Sequence, residues 1–138
     1  MFSYSVEDTR RIAAELARGL PPGTRVLALS GGLGAGKTAF AQGFIEALGY
    51  AGTVASPTYA IVNEYFISGA PTVTLCFHFD WYRLNSPEEL DDIGWEEYPE
   101  RGLCVVEWSD RIPGALPEHT VNVNIRVLDE NTREIIIM

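Results

Sequence analysis

The run Gly31-Gly32-Leu33-Gly34-Ala35-Gly36-Lys37-Thr38 has the residue types that hold a phosphate chain. Gly31, Gly36, Lys37 and Thr38 satisfy the spacing G-x-x-x-x-G-K-[ST]. Glycines let backbone N–H groups wrap phosphates with no Cβ in the way. A helix beginning near Thr38 turns its positive dipole end toward the same anion. The lysine reaches the β- and γ-phosphates, and the threonine hydroxyl ligates Mg²⁺. Out of context the same residues are a glycine-rich turn with a stray lysine, so the neighbours matter. Arg25-Val26-Leu27-Ala28-Leu29 reads as a buried strand directly before the loop. Residues 38–48 read as a helix directly after it, with Phe40, Phe44, Ile45 and Leu48 on one side and Gly49 as the stop. The loop in this setting predicts a nucleoside triphosphate as a class, together with a metal. It does not choose the base, but the chain has no NKxD-type segment for guanine, which favours ATP over GTP.

A site of this kind takes an acid from the end of a neighbouring buried strand, to hold Mg²⁺ or the attacking water. Two acids qualify. Asp80 ends Leu75-Cys76-Phe77-His78-Phe79, and Glu107 ends Leu103-Cys104-Val105-Val106. In an open α/β sheet the strand C-termini face the ligand crevice. Either acid is equally an ordinary solvated carboxylate at a strand end. His78 is one strand step from Asp80 and shares its side, although a lone strand histidine is more often structural. Arg83 either adds charge near the phosphates or pairs with the nearby acids. Trp108 follows Glu107 directly, and its residue type favours a place in the core over one against a base.

These residues need elements to position them. A first helix is predicted over 6–19, with Ser5 as N-cap, Asp8 in capping-box position and Ile12, Leu16 and Leu20 on one face. Pro21-Pro22-Gly23 ends it. Residues 53–58 read as a strand running into a loop. Tyr59–Phe66 and Thr72–Phe79 read as strands joined at Ser68-Gly69-Ala70-Pro71. Ser86-Pro87-Glu88-Glu89 reads as a helix start, with Ser as N-cap and Pro at the first position. Strands near 120–128 and 132–137 close the chain, turning at Asp129-Glu130-Asn131; Val121, Val123, Ile125 and Val127 alternate as in a half-covered strand. Strand–helix–strand units around a phosphate loop predict an α/β, three-layer domain like those of P-loop NTPases. The hairpins make its central sheet mixed.

The 138 residues, with no dividing linker, predict a single domain over 1–138. The formal net charge of −9 argues against direct binding to DNA or RNA, whose phosphates demand basic residues. A link to nucleic acid then runs through a partner protein, and the acidity otherwise serves solubility. Cys76 and Cys104 each sit in an apolar run without metal-ligand spacing and read as reduced, buried residues. Met1-Phe2-Ser3-Tyr4 lacks the basic and apolar regions of a secretory leader, and no apolar stretch is long enough to cross a bilayer. A cytoplasmic protein is the expectation.

In order along the chain, the glycine loop, Ser56-Pro57-Thr58-Tyr59, His78-Phe79-Asp80-Trp81-Tyr82-Arg83-Leu84 and Val106-Glu107-Trp108 resemble the TsaE (YjeE) family. These are bacterial ATPases required for the N6-threonylcarbamoyladenosine (t6A) modification of tRNA. The likeness covers nearly the whole chain. It implies that the backbone of Gly34, Ala35, Gly36, Lys37, Thr38 and Ala39 and the Lys37 amine hold the phosphates. It implies that Thr38, Glu107 and Asp80 surround Mg²⁺ and the attacking water. Ser56-Pro57-Thr58 is similar to a switch-like loop in which Thr58 senses the γ-phosphate. Thr9 matches a family threonine near the adenine, Arg133 matches a position that approaches the nucleotide, and Trp108 gains a place beside it. Gly32 departs from the family's usual Asp or Asn, at a position that contributes mainly backbone. Family members act on a TsaB–TsaD complex, in which TsaD transfers the threonylcarbamoyl group; tRNA is met only through that complex.

The resemblance implies a Mg²⁺-dependent ATPase that is weak alone and activated by its partners, because no arginine finger in cis is signalled. A nucleotide-gated binding module is the second reading. A small-molecule kinase ranks behind both: the chain has ten Lys plus Arg and no arginine-rich lid segment.

Overall fold

The computed structural model describes residues 1–55, 57, 61–67 and 73–138. Its strands are β1 (Phe2–Ser3), β2 (Val26–Gly31), β3 (Val62–Phe66), β4 (Leu75–Asp80), β5 (Leu103–Glu107), β6 (Thr120–Val127) and β7 (Arg133–Ile137). Its helices are α1 (Val6–Arg18), α2 (Lys37–Ala47), α3 (Pro87–Asp92) and α4 (Tyr98–Arg101), with 3₁₀ turns at Trp95–Glu97, Ser109–Arg111 and Pro113–Ala115.

The strands form one sheet in the order β1-β7-β6-β2-β5-β4-β3. β2 lies parallel to both β5 and β6, and β4 lies parallel to β5. The β3–β4, β6–β7 and β1–β7 pairs are antiparallel. The sheet is therefore mixed, as the hairpins in the sequence predict. The continuous apolar runs become the central parallel strands, covered on both faces.

Strand alternation sorts the core into two clusters. Leu27 and Leu29, Cys76, Leu103 and Val105, Val123 and Ile125, and Ile135 face one side, where α1 and α2 pack through Ile12, Ala13, Phe40, Ala41, Phe44 and Ile45. Val26 and Ala28, Phe77 and Phe79, Cys104 and Val106 face the other side, against Leu84, Leu90, Trp95 and Ile112. Three layers result. Both cysteines are free and buried, and burial pushes the Cys76 thiol up to about 12. Among the described residues no helix is long and apolar enough to cross a membrane.

Several local expectations change. α2 begins at Lys37, one residue before the predicted start. The strand expected at 53–58 does not form at Thr53, Val54, Ala55 or Pro57, while Ser56 and Thr58 lie outside the described residues. The turn expected at Ser68-Gly69-Ala70-Pro71 also lies outside them. β1 was not legible from two residues; it exists because Phe2 and Ser3 pair with Glu134 and Arg133. Ser5 caps α1 by accepting the Asp8 N–H at 3.0 Å, but the Asp8 carboxylate returns to the Tyr4 N–H, not to that of Ser5. Ser86 has the extended backbone of an N-cap and no side-chain capping bond. The Glu89 carboxylate instead accepts from the Asn85 N–H at 3.4 Å.

α1 and α2 cross closely because α2 carries Gly43 at the contact. A Cβ there would lie 2.6 Å from the Arg10 carbonyl oxygen and 2.7 Å from its Cα. Glycine to alanine inside a helix normally gains about 1 kcal/mol from propensity. Here backbone meets backbone and the two helices must separate, so we expect Gly43→Ala to reverse that sign and cost about 1–3 kcal/mol. Urea unfolding of the two proteins measures the difference.

Candidate functional site

β2 ends at Gly31, and the chain must turn sharply to enter α2. Gly31 has φ 147°, and a Cβ on it would fall 2.5 Å from the Ile125 carbonyl oxygen, so only glycine lets β6 approach the loop. Gly36 has φ 107° and forms the N-cap of α2 without any side-chain capping bond. A capless helix start leaves its first-turn N–H groups, those of Lys37, Thr38 and Ala39, aimed outward for an anion.

The parallel register brings the acids to this point. Leu29 of β2 is opposite Glu107 of β5, and Asp80 of β4 is opposite Glu107 on the other side. Lys37, Thr38, Asp80, Glu107 and Trp108 line one cleft of about 290 Å³ with Leu33, Gly34, Ala35 and Gly36. The Thr38 hydroxyl donates to Glu107 Oε1 at 2.8 Å. Glu107 is only 3% exposed, and its other oxygen, Oε2, lies 2.6 Å from Nε2 of the fully buried His78. Asp80 is half-buried, and its Oδ1 accepts from the Tyr82 N–H at 2.9 Å. Burial raises the Asp80 carboxyl above its ordinary value; the Tyr82 hydrogen bond opposes this and the Glu107 charge adds to it.

Lys37 is 5% exposed and donates to the carbonyls of Gly31 and Gly32, both at 2.8 Å. Burial lowers its pKa, and the charges of Glu107, Asp110 and Asp80 oppose that effect. Its ammonium also lies 3.7 Å from the centre of the Trp108 ring. Trp108 is partly buried and packs against the second core cluster, as its type suggests, while its ring also reaches Lys37. It has φ 59°, a left-handed conformation that turns the ring out of β5 and onto Lys37. Its outer neighbours are the Tyr82 ring, at 4.8 Å, and the Arg111 guanidinium, at 5.9 Å. No spacing in the sequence marks these neighbours, since the tilted contact of the Tyr82 and Trp108 rings depends on a backbone angle that no spacing reveals. Arg83 is exposed and makes no ion pair among the described residues.

A second cleft opens on the far side of the same loop. Thr9, Ala39 and Arg133 line it with Ser5, Asn131 and the backbone of Gly34, Ala35 and Gly36. Thr9 is buried, and its hydroxyl shares a 2.7 Å hydrogen bond with Ser3. Arg133 donates Nε–H to the Ala35 carbonyl at 3.1 Å and Nη2–H to that of Gly34 at 3.3 Å. Its Nη1 donates to the carbonyls of Asp129, Glu130 and Thr132. The guanidinium therefore straps the last hairpin to the glycine loop. Thr58 lies outside the described residues.

The donors in the first cleft suit a small hard cation. A hydroxyl and two carboxylates supply oxygen ligands, and Mg²⁺ in such sites takes one or two carboxylates with the rest from phosphate and water. Among the described residues no three His, Cys, Asp or Glu side chains cluster as a metal cage.

Residues 3–135 match the family model described as "TsaE: Threonylcarbamoyl adenosine biosynthesis protein TsaE". The chain is 40% identical to the tRNA threonylcarbamoyladenosine biosynthesis protein TsaE of Treponema pallidum, over 98% of this chain and 96% of that one. It is 44% identical to the protein of the same name from Haemophilus influenzae, over 74% of this chain but only 63% of that longer one. Among solved structures, Bacillus subtilis YdiB superposes with a TM-score of 0.74 at 33% identity, covering 98% of this chain and 80% of the other.

The raised Asp80 carboxyl has a consequence for stability. Its charge is tolerated less well in the folded chain than in the unfolded one, so stability is lost as pH rises through the raised folded value. At pH 7 the ionised side chain is a net cost. We expect Asp80→Asn, which keeps an oxygen for the Tyr82 N–H, to melt higher than the parent at pH 7. The gain should vanish in acid below the ordinary value of 3.8. Thermal melts across pH check both statements.

Proposed function

The chain belongs to the TsaE family of threonylcarbamoyl adenosine biosynthesis proteins, and from that premise we propose that it is the ATP-binding and ATP-hydrolysing component of the tRNA t6A machinery. It acts on a TsaB–TsaD complex and leaves the group transfer to that complex. The observation that carries this reading is the meeting of Lys37, Thr38, Asp80 and Glu107 in one cleft beside the glycine loop.

The triphosphate lies along Gly34 to Ala39, where outward N–H groups and the helix dipole stabilise negative charge. Lys37 leaves the Gly31 and Gly32 carbonyls for the β- and γ-phosphates and neutralises charge that grows during transfer. Its contact with Trp108 keeps the stem close to that position. The base enters the second cleft, beside Thr9 and Arg133. Because Arg133 spends its donors on loop carbonyls, it shapes this cleft mainly by holding the Gly34–Ala35 backbone.

Magnesium, if bound with the nucleotide, would offset the charge of the phosphates. Thr38 and Glu107 are the residues to hold it, since their side chains already touch. Asp80 is engaged at one oxygen only and is the freer of the two acids to orient a water in line with the γ-phosphate. The domain is soluble in the cytoplasm and meets tRNA through its partners, in keeping with a net charge of −9.

Among the described residues no arginine lines the first cleft, so the charge on the transferred group calls for a further cation from outside these residues. We expect slow ATP turnover by the isolated protein and turnover at least ~10-fold faster with TsaB–TsaD present. Lys37→Ala should abolish both. Equal rates with and without the partners would contradict activation.

A further inference from the structure

The buried histidine of β4 is not used by the mechanism above. His78 lies opposite Val105 of β5, which makes Glu107 its diagonal neighbour on the same face of the sheet. Its Nε2 lies 2.6 Å from Glu107 Oε2. The side chain is fully buried, and Nδ1 has no partner among the described residues. A tautomer with its proton on Nδ1 would leave that N–H unpaired in the interior. The arrangement with one proton, on Nε2, leaves only a lone pair unsatisfied and donates N–H to the carboxylate.

Glu107 then has a neutral donor at each oxygen: the Thr38 hydroxyl at Oε1 and the His78 N–H at Oε2. A carboxylate 3% exposed needs hydrogen-bond donors for both oxygens. The two bonds do different work. Thr38 stands in the first turn of α2, where its hydroxyl would also serve a cation under the function proposed above. His78 is held in the sheet between β3 and β5 with Asn63 and Val105 as its cross-strand neighbours. With His78 absent, Glu107 keeps its tie to Thr38 but is free to rotate about its last bonds.

We propose that His78 is a positioning residue: through Nε2–H it fixes the orientation of the Glu107 carboxylate so that Oε1 stays turned toward Thr38 and the cation site. This rests on the function proposed above, and it assigns no contact between His78 and nucleotide or metal.

The test compares the parent with His78→Phe and His78→Leu, which remove the donor, and His78→Gln, whose side-chain amide can place an N–H near the Nε2 position. Three quantities are read: ATP turnover with TsaB–TsaD as Mg²⁺ is titrated, calorimetric ATP affinity in EDTA, and the melting temperature. We expect the variants lacking the donor to need ~10-fold more Mg²⁺ for half-maximal turnover and to lose ~10–100-fold in kcat. Their ATP affinity in EDTA should stay within ~2-fold of the parent, and His78→Gln should recover to within ~3-fold in kcat. Thermal melts identify which of the Phe and Leu variants is folded at the assay temperature. Unchanged Mg²⁺ dependence in a folded variant lacking the donor overturns the inference, as does a His78→Gln protein as defective as His78→Phe. A parent that neither binds nor hydrolyses ATP overturns the functional reading and this inference together. A parent that does both, beside an unaltered His78→Phe, overturns this inference alone.

Discussion

The hydrogen bond from Thr38 to Glu107 joins the first turn of α2 to the last residue of β5. Much of the architecture can be read as what that contact requires. β2 must lie directly beside β5, so that the loop leaving β2 returns over the neighbouring strand end. α2 must pack on the face to which Glu107 points, which the Phe40, Phe44 and Ile45 cluster achieves. The loop between must turn tightly enough to bring Thr38 back within reach, which Gly31 and Gly36 permit. Glu107, nearly buried, must find donors for both oxygens, and the sheet supplies His78 for the second. An acid pinned in this way is costly to build and precise in its placement.

The glycine loop divides the space around it. One cleft, with Lys37, Thr38, Asp80 and Glu107, concentrates groups that act on charge. The other, with Thr9, Ala39 and Arg133, is framed by the two chain ends. β1 pairs with β7, the Met1 amino group donates to the Ile135 carbonyl, and Ser3 shares a hydrogen bond with Thr9. Arg133 then ties this corner to the Gly34 and Ala35 carbonyls. The ends of the chain thus support the loop from behind, although neither lies near it in sequence.

The central parallel strands, α1 and α2, the mixed sheet and the glycine loop were legible because they depend on local patterns: apolar runs, i+4 repeats and glycine spacing. Asp80 and Glu107 were legible as strand ends. Three features were not. β1 is two residues long and has no pattern of its own; it is defined by its partner. The Trp108 ring packs partly on the core, as its residue type suggests, but the left-handed backbone that also sets it over Lys37 has no sequence signal. His78 was read as a structural histidine because its partner, 29 residues away, is set by the register of two strands. At Thr53, Val54, Ala55 and Pro57 the expected strand is absent for a related reason: Val54 is buried against the helix-side core, so its apolar character reports packing and not pairing.

The central claim is that Thr38 and Glu107 form one half of a site whose other half is a metal-bound triphosphate. Calorimetric titration of ATP into the parent and Glu107→Gln proteins, each with Mg²⁺ and with EDTA, tests it most directly. Mg²⁺ should tighten ATP binding to the parent by ~10-fold or more, and this gain should disappear in Glu107→Gln, while the EDTA affinities of the two stay close. Equal dependence on Mg²⁺ in both proteins would contradict the claim.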